Sequence, residues 1–182
     1  MLRNKKVSSP DSSITPGADT VAEPVYHMRR KEREIVDKSE FFSIMSSAKF
    51  MTIAMCKDNT PYLVTVNHVC DQDAKAIYFH CAKAGKKMDF LNANPRVCGE
   101  VLEDRGYVVG ECDYDYRSVH FSGKASMVAD LSEKKKALNL MIEKLEKDPE
   151  EAKKAFIDQS SLKTVAIFRI DIESMTGKMR VP

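Results

Sequence analysis

The chain has 182 residues, of which 43% are hydrophobic and 31% charged, a balance typical of a globular protein with a hydrophobic core. Lys and Arg total 29 and Asp and Glu total 27, and the net charge of +2 argues against a broad surface for nucleic acid or an anionic membrane. The five cysteines form no CxxC pair, which argues against a disulfide framework and favours a reducing compartment.

The first 25 residues differ in composition from the rest of the chain. They are rich in Ser, Pro, Asp and Thr and have few large apolar side chains, which predicts a disordered or loosely ordered lead. They lack the apolar core of a signal peptide, and no stretch approaches the roughly 20 apolar residues that span a bilayer. We therefore expect a cytoplasmic protein in which residues 26–182 form a single domain.

Hydrophobic periodicity predicts a short helix and then three strands in the first part of this domain. After Asp37 and Glu40, which have capping-box spacing, apolar residues recur on one helical face. The residues of that face are Phe41, Ile44, Met45 and Ala48. Strands separated by polar turns are predicted at 50–56, 62–69 and 76–81. We expect these three strands to form a meander.

The second part of the domain alternates helices with further strands. A short helix carrying Met88 and Leu91 should end before Pro95, and a longer one should follow Asp130. A polar helix is predicted at 149–156, and the polar segment 103–115 predicts a long loop. The remaining strands are predicted at 96–102, 117–128, with a bulge at Gly123, and 164–175. Six antiparallel strands favour a small barrel over a flat sheet, because closure removes exposed edges.

The segment 79–87 connects a predicted strand to a predicted helix. It contains Gly85 followed by Lys86 and Lys87. Backbone N–H groups at a helix start, together with two ammonium groups, suit a phosphate. The segment is not a P-loop, since the first glycine and the Ser or Thr after the lysine are missing. The alternative interpretation is a glycine turn with solvated lysines.

The strand at 62–69 carries polar groups among apolar ones. Thr65 and Asn67 share one face, and the apolar residues on both faces indicate that the outer face is covered. Their hydroxyl and amide groups suit a flat heterocycle or a subunit contact, and these two interpretations are compatible.

Other chemistry has weaker support in the sequence. A metal site would use His68, Cys70, His80 and Cys81, but their spacing fits no standard zinc pattern, and buried structural cysteines are the favoured interpretation. No G-x-S-x-G nucleophile elbow occurs. Ser118 and His120 share one face of the long strand, where they would contact a ligand or form a solvated surface.

Five segments then occur in a specific order across about residues 28–130. They are MRRKEREI (28–35), PYLVTVN (61–67), IYFHCA with GKK (77–87), LNANPRVC (91–98) and YRSV with a later glycine (116–123). In this order they resemble the pyridoxamine-phosphate-oxidase-like split-barrel flavoproteins, and more closely the nitroimidazole-resistance (Nim-type) branch. The helical segment at 131–158 and the last strand also fit that family.

The resemblance implies a mainly β protein, a six-stranded antiparallel split β-barrel with short flanking helices. It also implies a homodimer with FMN at the subunit interface, its ring along the 63–67 strand and its phosphate on two lysines. The implied cofactor-binding residues are Leu63, Val64, Thr65, Val66, Asn67, Tyr78, His80, Lys86, Lys87, Tyr116, Arg117 and Ser118. His80 matches a histidine proposed to lie beside flavin and substrate in the Nim-type branch, so it is the candidate catalytic proton donor.

The implied activity is the reduction of a small organic acceptor, such as a nitroaromatic or a quinone, by electrons from a reduced nicotinamide or another donor. FAD, haem and deazaflavin are alternative cofactors, because the superfamily includes binders of each. A non-catalytic flavin or haem sensor is an alternative function. Pyridoxamine-phosphate oxidase activity is a further alternative, for which the basic residues at 178–182 give weak support. We expect no resident metal, nucleic acid or membrane partner.

Overall fold

The computed structural model describes residues 28–180, so the predicted lead at 1–25 lies outside the described residues. The strands are β1 (Phe50–Lys57), β2 (Thr60–Asn67), β3 (Val69–Asp71), β4 (Ala76–Cys81), β5 (Arg96–Val108), β6 (Asp113–Met127) and β7 (Ala166–Arg180). The helices are α1 (Ser39–Ser47), α2 (Lys86–Ala93), α3 (Leu131–Leu145), α4 (Pro149–Phe156) and α5 (Gln159–Thr164), and a 3-10 turn occupies Lys31–Arg33. None of the helices between residues 28 and 180 has both the length and the apolar character to cross a membrane.

The strands form one antiparallel sheet in the order β2-β1-β5-β6-β7-β4-β3, which confirms the mainly β split-barrel class. The described part has seven strands instead of six, because the short β3 is separate from β2. The predicted meander is confirmed for β1 and β2, which pair as a hairpin, and is wrong for β4, which pairs with β7 and the short β3 instead of β2. The rings of Phe79 in β4 and Phe168 in β7 stack at 5.4 Å in the core. Long-range packing has therefore decided which strands become neighbours.

The predicted loop at 103–115 is also wrong. β5 and β6 continue through this segment as a hairpin, down to the pair Val108 and Asp113. Tyr107 and Tyr114 pack edge to face near its tip, with ring centroids 5.3 Å apart. The bulge predicted at Gly123 is confirmed by a register shift between Ser122 and Gly123.

Side chains alternate between a barrel core and an outer face. The predicted apolar face of α1 is confirmed, since its Phe41, Ile44 and Met45 are buried against the barrel core. A second apolar cluster lies between α3 and the β4–β7 pair. The helix predicted after Asp130 is α3, and its start is capped, because the Asp130 carboxylate accepts a hydrogen bond from the backbone N–H of Glu133 at 2.7 Å. Among residues 28–180 the helices leave the other side of β2, β1 and β5 open, with Phe50, Leu63 and Leu102 exposed there.

Candidate functional site

The open side of the sheet, called the outer face below, brings together residues from five strands. Thr65 of β2 lies opposite Thr52 of β1, and Thr52 lies opposite Glu100 of β5. Glu100 in turn lies opposite His120 of β6, which lies opposite Thr176 of β7. The neighbouring positions on these strands point into the core. Register therefore aligns these five polar residues in one row across the outer face.

The predicted ring-binding strand places only alternate side chains on the outer face. Leu63 is 64% exposed there, and Thr65 and Asn67 follow on the same side. Val64 and Val66 pack against the core, so only their backbone groups remain available to a ligand. In the sheet order β2 pairs with β1 alone, and backbone groups along its other edge have no strand partner among the described residues. A planar heterocycle with amide-like edges suits such a strand.

The predicted phosphate site forms a cavity of about 280 Å³ at the start of α2. It is lined by Tyr62, Cys81, Ala82, Ala84, Gly85, Lys86, Lys87 and Met88. Gly85 has φ of +120°, a conformation that favours glycine, and no side chain of the described residues caps the helix start there. The first N–H groups of α2 are therefore left for an anion. Lys86 Nζ lies 4.5 Å from the Tyr62 ring centroid.

The charges around this cavity favour an anion. Within residues 28–180 no carboxylate oxygen lies within 4.0 Å of Nζ of Lys86 or Lys87. Lys83 instead donates to the backbone carbonyl of Lys163 at 2.7 Å, which ties this loop to the end of α5. Burial raises the pKa of the Cys81 thiol, and the Lys87 ammonium partly offsets that effect. The cavity thus combines two uncompensated ammonium groups with a neutral thiol.

Tyr78 and His80 are not brought into this cavity. Tyr78 is 1% exposed and donates from its hydroxyl to the Glu133 carboxylate at 2.8 Å, in the cluster beneath α3. Burial, and then the bond to Glu133, raise the pKa of Tyr78 to about 12. His80 is exposed at the end of β4, opposite Ile167. The geometry gives Tyr78 a role in packing, and the predicted role of His80 stays a prediction.

The predicted cofactor-binding residues of β6 lie on both sides of the strand; they are Tyr116, Arg117 and Ser118. Arg117 donates through Nε to Glu103 at 2.5 Å and lies 3.7 Å from Glu40 of α1. This hydrogen bond holds the pKa of the Glu103 carboxyl below its ordinary value, so Arg117 joins α1 to the barrel. Tyr116 and Ser118 lie on the opposite side, the outer face, where Ser118 is 3% exposed. Of the three residues, Tyr116 alone is accessible to a ligand from that surface, and the predicted role of the buried Ser118 stays a prediction.

The sequence missed the partners of His120. Its Nε2 lies 3.3 Å from Oε1 of Glu100, and both line a second cavity of about 280 Å³ on the outer face. The other lining residues are Thr52, Ala54, Leu63, Cys98, Gly99 and Phe121. The sequence indicated His120 as a possible ligand contact, because it shares one strand face with Ser118. It could not supply Glu100 or Thr52, because these join the site only through strand register.

The possible metal ligands do not assemble into a cluster. Residues 28–180 contain no group of three or more His, Cys, Asp or Glu side chains that could hold a metal ion. His68 is fully buried, and its Nε2 lies 2.7 Å from the carbonyl oxygen of Met45. Burial raises the pKa of Cys70 to about 12, so its thiol is neutral.

The barrel, its open β2 edge and the lysine-lined cavity together define a split-barrel protein of the flavin-binding type of fold. Residues 37–179 match the pyridoxamine 5′-phosphate oxidase family. The chain belongs to that family, as the ordered sequence segments predicted. No curated protein matches the chain in sequence.

Solved structures with this fold extend the comparison. A protein from Bacteroides thetaiotaomicron named for 5-nitroimidazole antibiotic resistance is 26% identical; the match covers 80% of this chain and 85% of that chain, with a TM-score of 0.67. An FAD-binding protein from Mesorhizobium loti is 22% identical, over 82% of this chain and 98% of that chain, with a TM-score of 0.60. An FAD- and haem-binding protein from Mycobacterium smegmatis is 12% identical, over 82% and 74% of the chains, with a TM-score of 0.67. The last two show similarity of fold alone.

Proposed function

We propose that the chain is an FMN-binding flavoprotein that reduces a small organic acceptor, such as a quinone or a nitroaromatic, with electrons from a reduced nicotinamide or another donor. The observation that carries this proposal is the cavity where two uncompensated lysines meet the uncapped start of α2. A dianionic phosphate ester suits that charge and those N–H donors. Family membership supports a flavin, and the nitroimidazole-resistance protein supports a reducible aromatic acceptor.

The proposed flavin site has two parts, one that binds the phosphate and one that binds the ring. Lys86, Lys87 and the first N–H groups of α2 hold the phosphate, while the free edge of β2 and the Thr65 hydroxyl hold the ring. The bound flavin supplies the hydride chemistry. The chain supplies orientation and electrostatic complementarity. Two adjacent residues of β2 connect the two parts of the site, because Tyr62 lines the lysine cavity and Leu63 lines the second cavity.

We also propose that a second copy of the chain covers the outer face. Three large apolar side chains are exposed along it or at its border: Phe50 at 55%, Leu63 at 64% and Leu102 at 52%. An apolar surface of this kind is typical of a protein interface. A symmetric dimer would bring Tyr116 of one copy towards β2 of the other, and each cleft would then be built by two copies.

The phosphate assignment is tested by comparing FMN with riboflavin, which lacks the phosphate. Titration of the cofactor-free protein, followed by flavin fluorescence, should show that Lys86→Gln and Lys87→Gln each weaken FMN binding. A charge-assisted hydrogen bond is worth about 1.5–3 kcal/mol, or roughly 10- to 100-fold in affinity. Riboflavin affinity should stay unchanged, and Lys135→Gln, on the exposed side of α3, is the matched control. Equal losses for both ligands would contradict the phosphate site.

A non-catalytic flavin or haem carrier is the second candidate, favoured by the fold-level neighbour that binds FAD and haem. The absorbance spectrum of the purified protein separates them: flavin bands lie near about 370 and 450 nm, whereas haem gives a Soret band. Electron transfer from NADPH to an acceptor then distinguishes a reductase from a carrier. We do not propose pyridoxamine-phosphate oxidase activity. The basic end offers little charge for a substrate phosphate, because Arg180 is paired with Glu111 and Asp113.

A further inference from the structure

The polar row on the outer face contains one imidazole, the side chain that ordinarily exchanges a proton near neutral pH. Thr65 and Thr52 are joined by a hydrogen bond of 3.2 Å between their hydroxyl oxygens. Further along the row, Nε2 of His120 lies 3.3 Å from Oε1 of Glu100. The row thus begins at the strand proposed to hold the flavin ring and reaches an imidazole two strands beyond Thr52.

The second cavity lies directly beside this pair. Its volume of about 280 Å³ is close to the lower limit for small-molecule sites. Leu63, Ala54 and Phe121 give it apolar walls, whereas Glu100 and His120 supply its charged side. One small aromatic ring with a reducible oxygen atom suits both the size and this division of polarity.

We propose that His120, oriented by Glu100, donates the proton that the acceptor takes up on reduction; this assignment rests on the proposed reductase function. Conversion of a quinone to its quinol takes a hydride equivalent from the reduced flavin and one proton, which His120 gives to the anionic oxygen. With Nε2–H directed to Glu100, Nδ1–H makes the transfer. The His120 side chain is 58% exposed in a single copy, and in the proposed dimer it regains its proton from water that enters the cleft when the product leaves. Glu100 is a positioning residue that also stabilises the imidazolium.

The surroundings of His120 support this role. Glu100 on β5 is the charged group that faces it at close range, and the residue opposite on β7 is the uncharged Thr176. Lys178 on β7 lies two positions further along, opposite Ser118. His80, by contrast, lies on β4, a strand that does not contribute to the row. The two histidines are therefore separable by mutation.

The kinetic test uses the FMN-loaded protein, reduced chemically and mixed with menadione in a stopped-flow instrument. His120→Gln should slow flavin reoxidation by about 10²–10⁴-fold, the usual value of a positioned proton donor, and should abolish its pH dependence near neutrality. Glu100→Gln should lower the rate less and displace the pH profile. Glu146→Gln, an exposed change beyond the end of α3, should leave both unchanged. A full rate in His120→Gln together with a slow His80→Gln would overturn the assignment in favour of His80.

A second readout does not depend on turnover. In NMR spectra of protein labelled at the histidine rings, assigned with His120→Gln, FMN should displace the His120 resonance, and Glu100→Gln should displace it without FMN. His120→Gln should keep its FMN affinity within twofold. An unmoved His120 resonance in protein that binds FMN would place His120 outside the site. That result would overturn the role of His120 and leave the proposed function standing. Failure of the unaltered protein to bind FMN would instead overturn the proposed function.

Discussion

Lys144 donates a hydrogen bond from Nζ to the backbone carbonyl oxygen of His68, at 2.9 Å, and so joins α3 to the junction between β2 and β3. The same ammonium group lies 3.2 Å from the carbonyl oxygen of Met45 at the end of α1, which the His68 imidazole also contacts. Burial lowers the pKa of Lys144, because removal from water disfavours the charged form of the ammonium group. One side chain thus connects three elements around the fully buried His68.

We expect Lys144→Met to destabilise the fold. Methionine preserves much of the aliphatic stem but leaves the His68 carbonyl without its Lys144 donor and the Met45 carbonyl with the His68 imidazole as its remaining side-chain partner. An unmet polar group of this kind costs about 1–3 kcal/mol. The free energy of unfolding in urea should fall by that amount. Lys135→Met, on the exposed side of the same helix, should change it by less than about 0.5 kcal/mol.

The buried His68 predicts a loss of stability in mild acid. Burial, then the Lys144 charge, lower the pKa of His68 from 6.5 to about 4 in the folded protein. The unfolded chain therefore binds the proton more tightly, and the stabilisation is complete above about pH 6.5 and is lost as the pH falls towards 4. The shift corresponds to roughly 3 kcal/mol at its low-pH limit.

His68→Gln isolates this effect from the carboxylates, whose lowered pKa values act mainly at still lower pH. The introduced amide side chain can donate to the Met45 carbonyl but cannot titrate. Urea unfolding at pH 7 and pH 5 should show a smaller loss for the variant than for the original chain. An identical loss in both proteins would mean that His68 has an ordinary pKa.

Tyr78 should matter for stability and not for flavin binding. Its hydroxyl donates to Glu133 and lies 3.4 Å from Nη1 of Arg169, all beneath α3. Tyr78→Phe should lower the free energy of unfolding by about 1–2 kcal/mol, because Glu133 loses a buried donor. FMN affinity, measured by fluorescence titration, should remain within twofold. A large loss of FMN affinity in a folded variant would restore the cofactor role that the sequence resemblance implied.

Part of the site was predictable because its components are adjacent in the chain. Gly85, Lys86 and Lys87 are consecutive, and a strand followed by a helix places their N–H and ammonium groups together. The outer-face row was not predictable. Thr65 and His120 come from strands separated in the sheet by β1 and β5, and their alignment depends on the register of three strand pairs.

The hairpin formed by β5 and β6 was also not predictable from local sequence. Residues 103–115 are polar and contain glycine, which predicts a loop. Glu103 is nevertheless satisfied by Arg117, 14 residues away, and Asp113 by Arg33, 80 residues away at 2.8 Å. Arg105 within the segment also contacts Glu103 at 3.1 Å, but Arg117 and Arg33 both lie outside it. Polar residues can therefore continue a strand when distant parts of the chain supply their counterions.

The outer face gives a prediction about assembly. Leu102 is 52% exposed on this face, in line with Ser118, and it lies outside both cavities. Leu102→Asp would place a carboxylate from each copy in a symmetric apolar interface, and burying an unpaired charge costs several kcal/mol. The protein should change from dimer to monomer in size-exclusion chromatography with light scattering. It should also bind FMN more weakly, because each cleft loses the residues of the second copy.

Phe156→Asp is the matched control for this experiment. Phe156 is 62% exposed on α4, so the substitution is chemically similar but lies away from the outer face. It should leave both the dimer mass and FMN affinity unchanged. If Leu102→Asp remains dimeric while circular dichroism shows an intact fold, the second copy must dock elsewhere. Tyr116, the cleft residue expected from the second copy, would then have to act within its own copy.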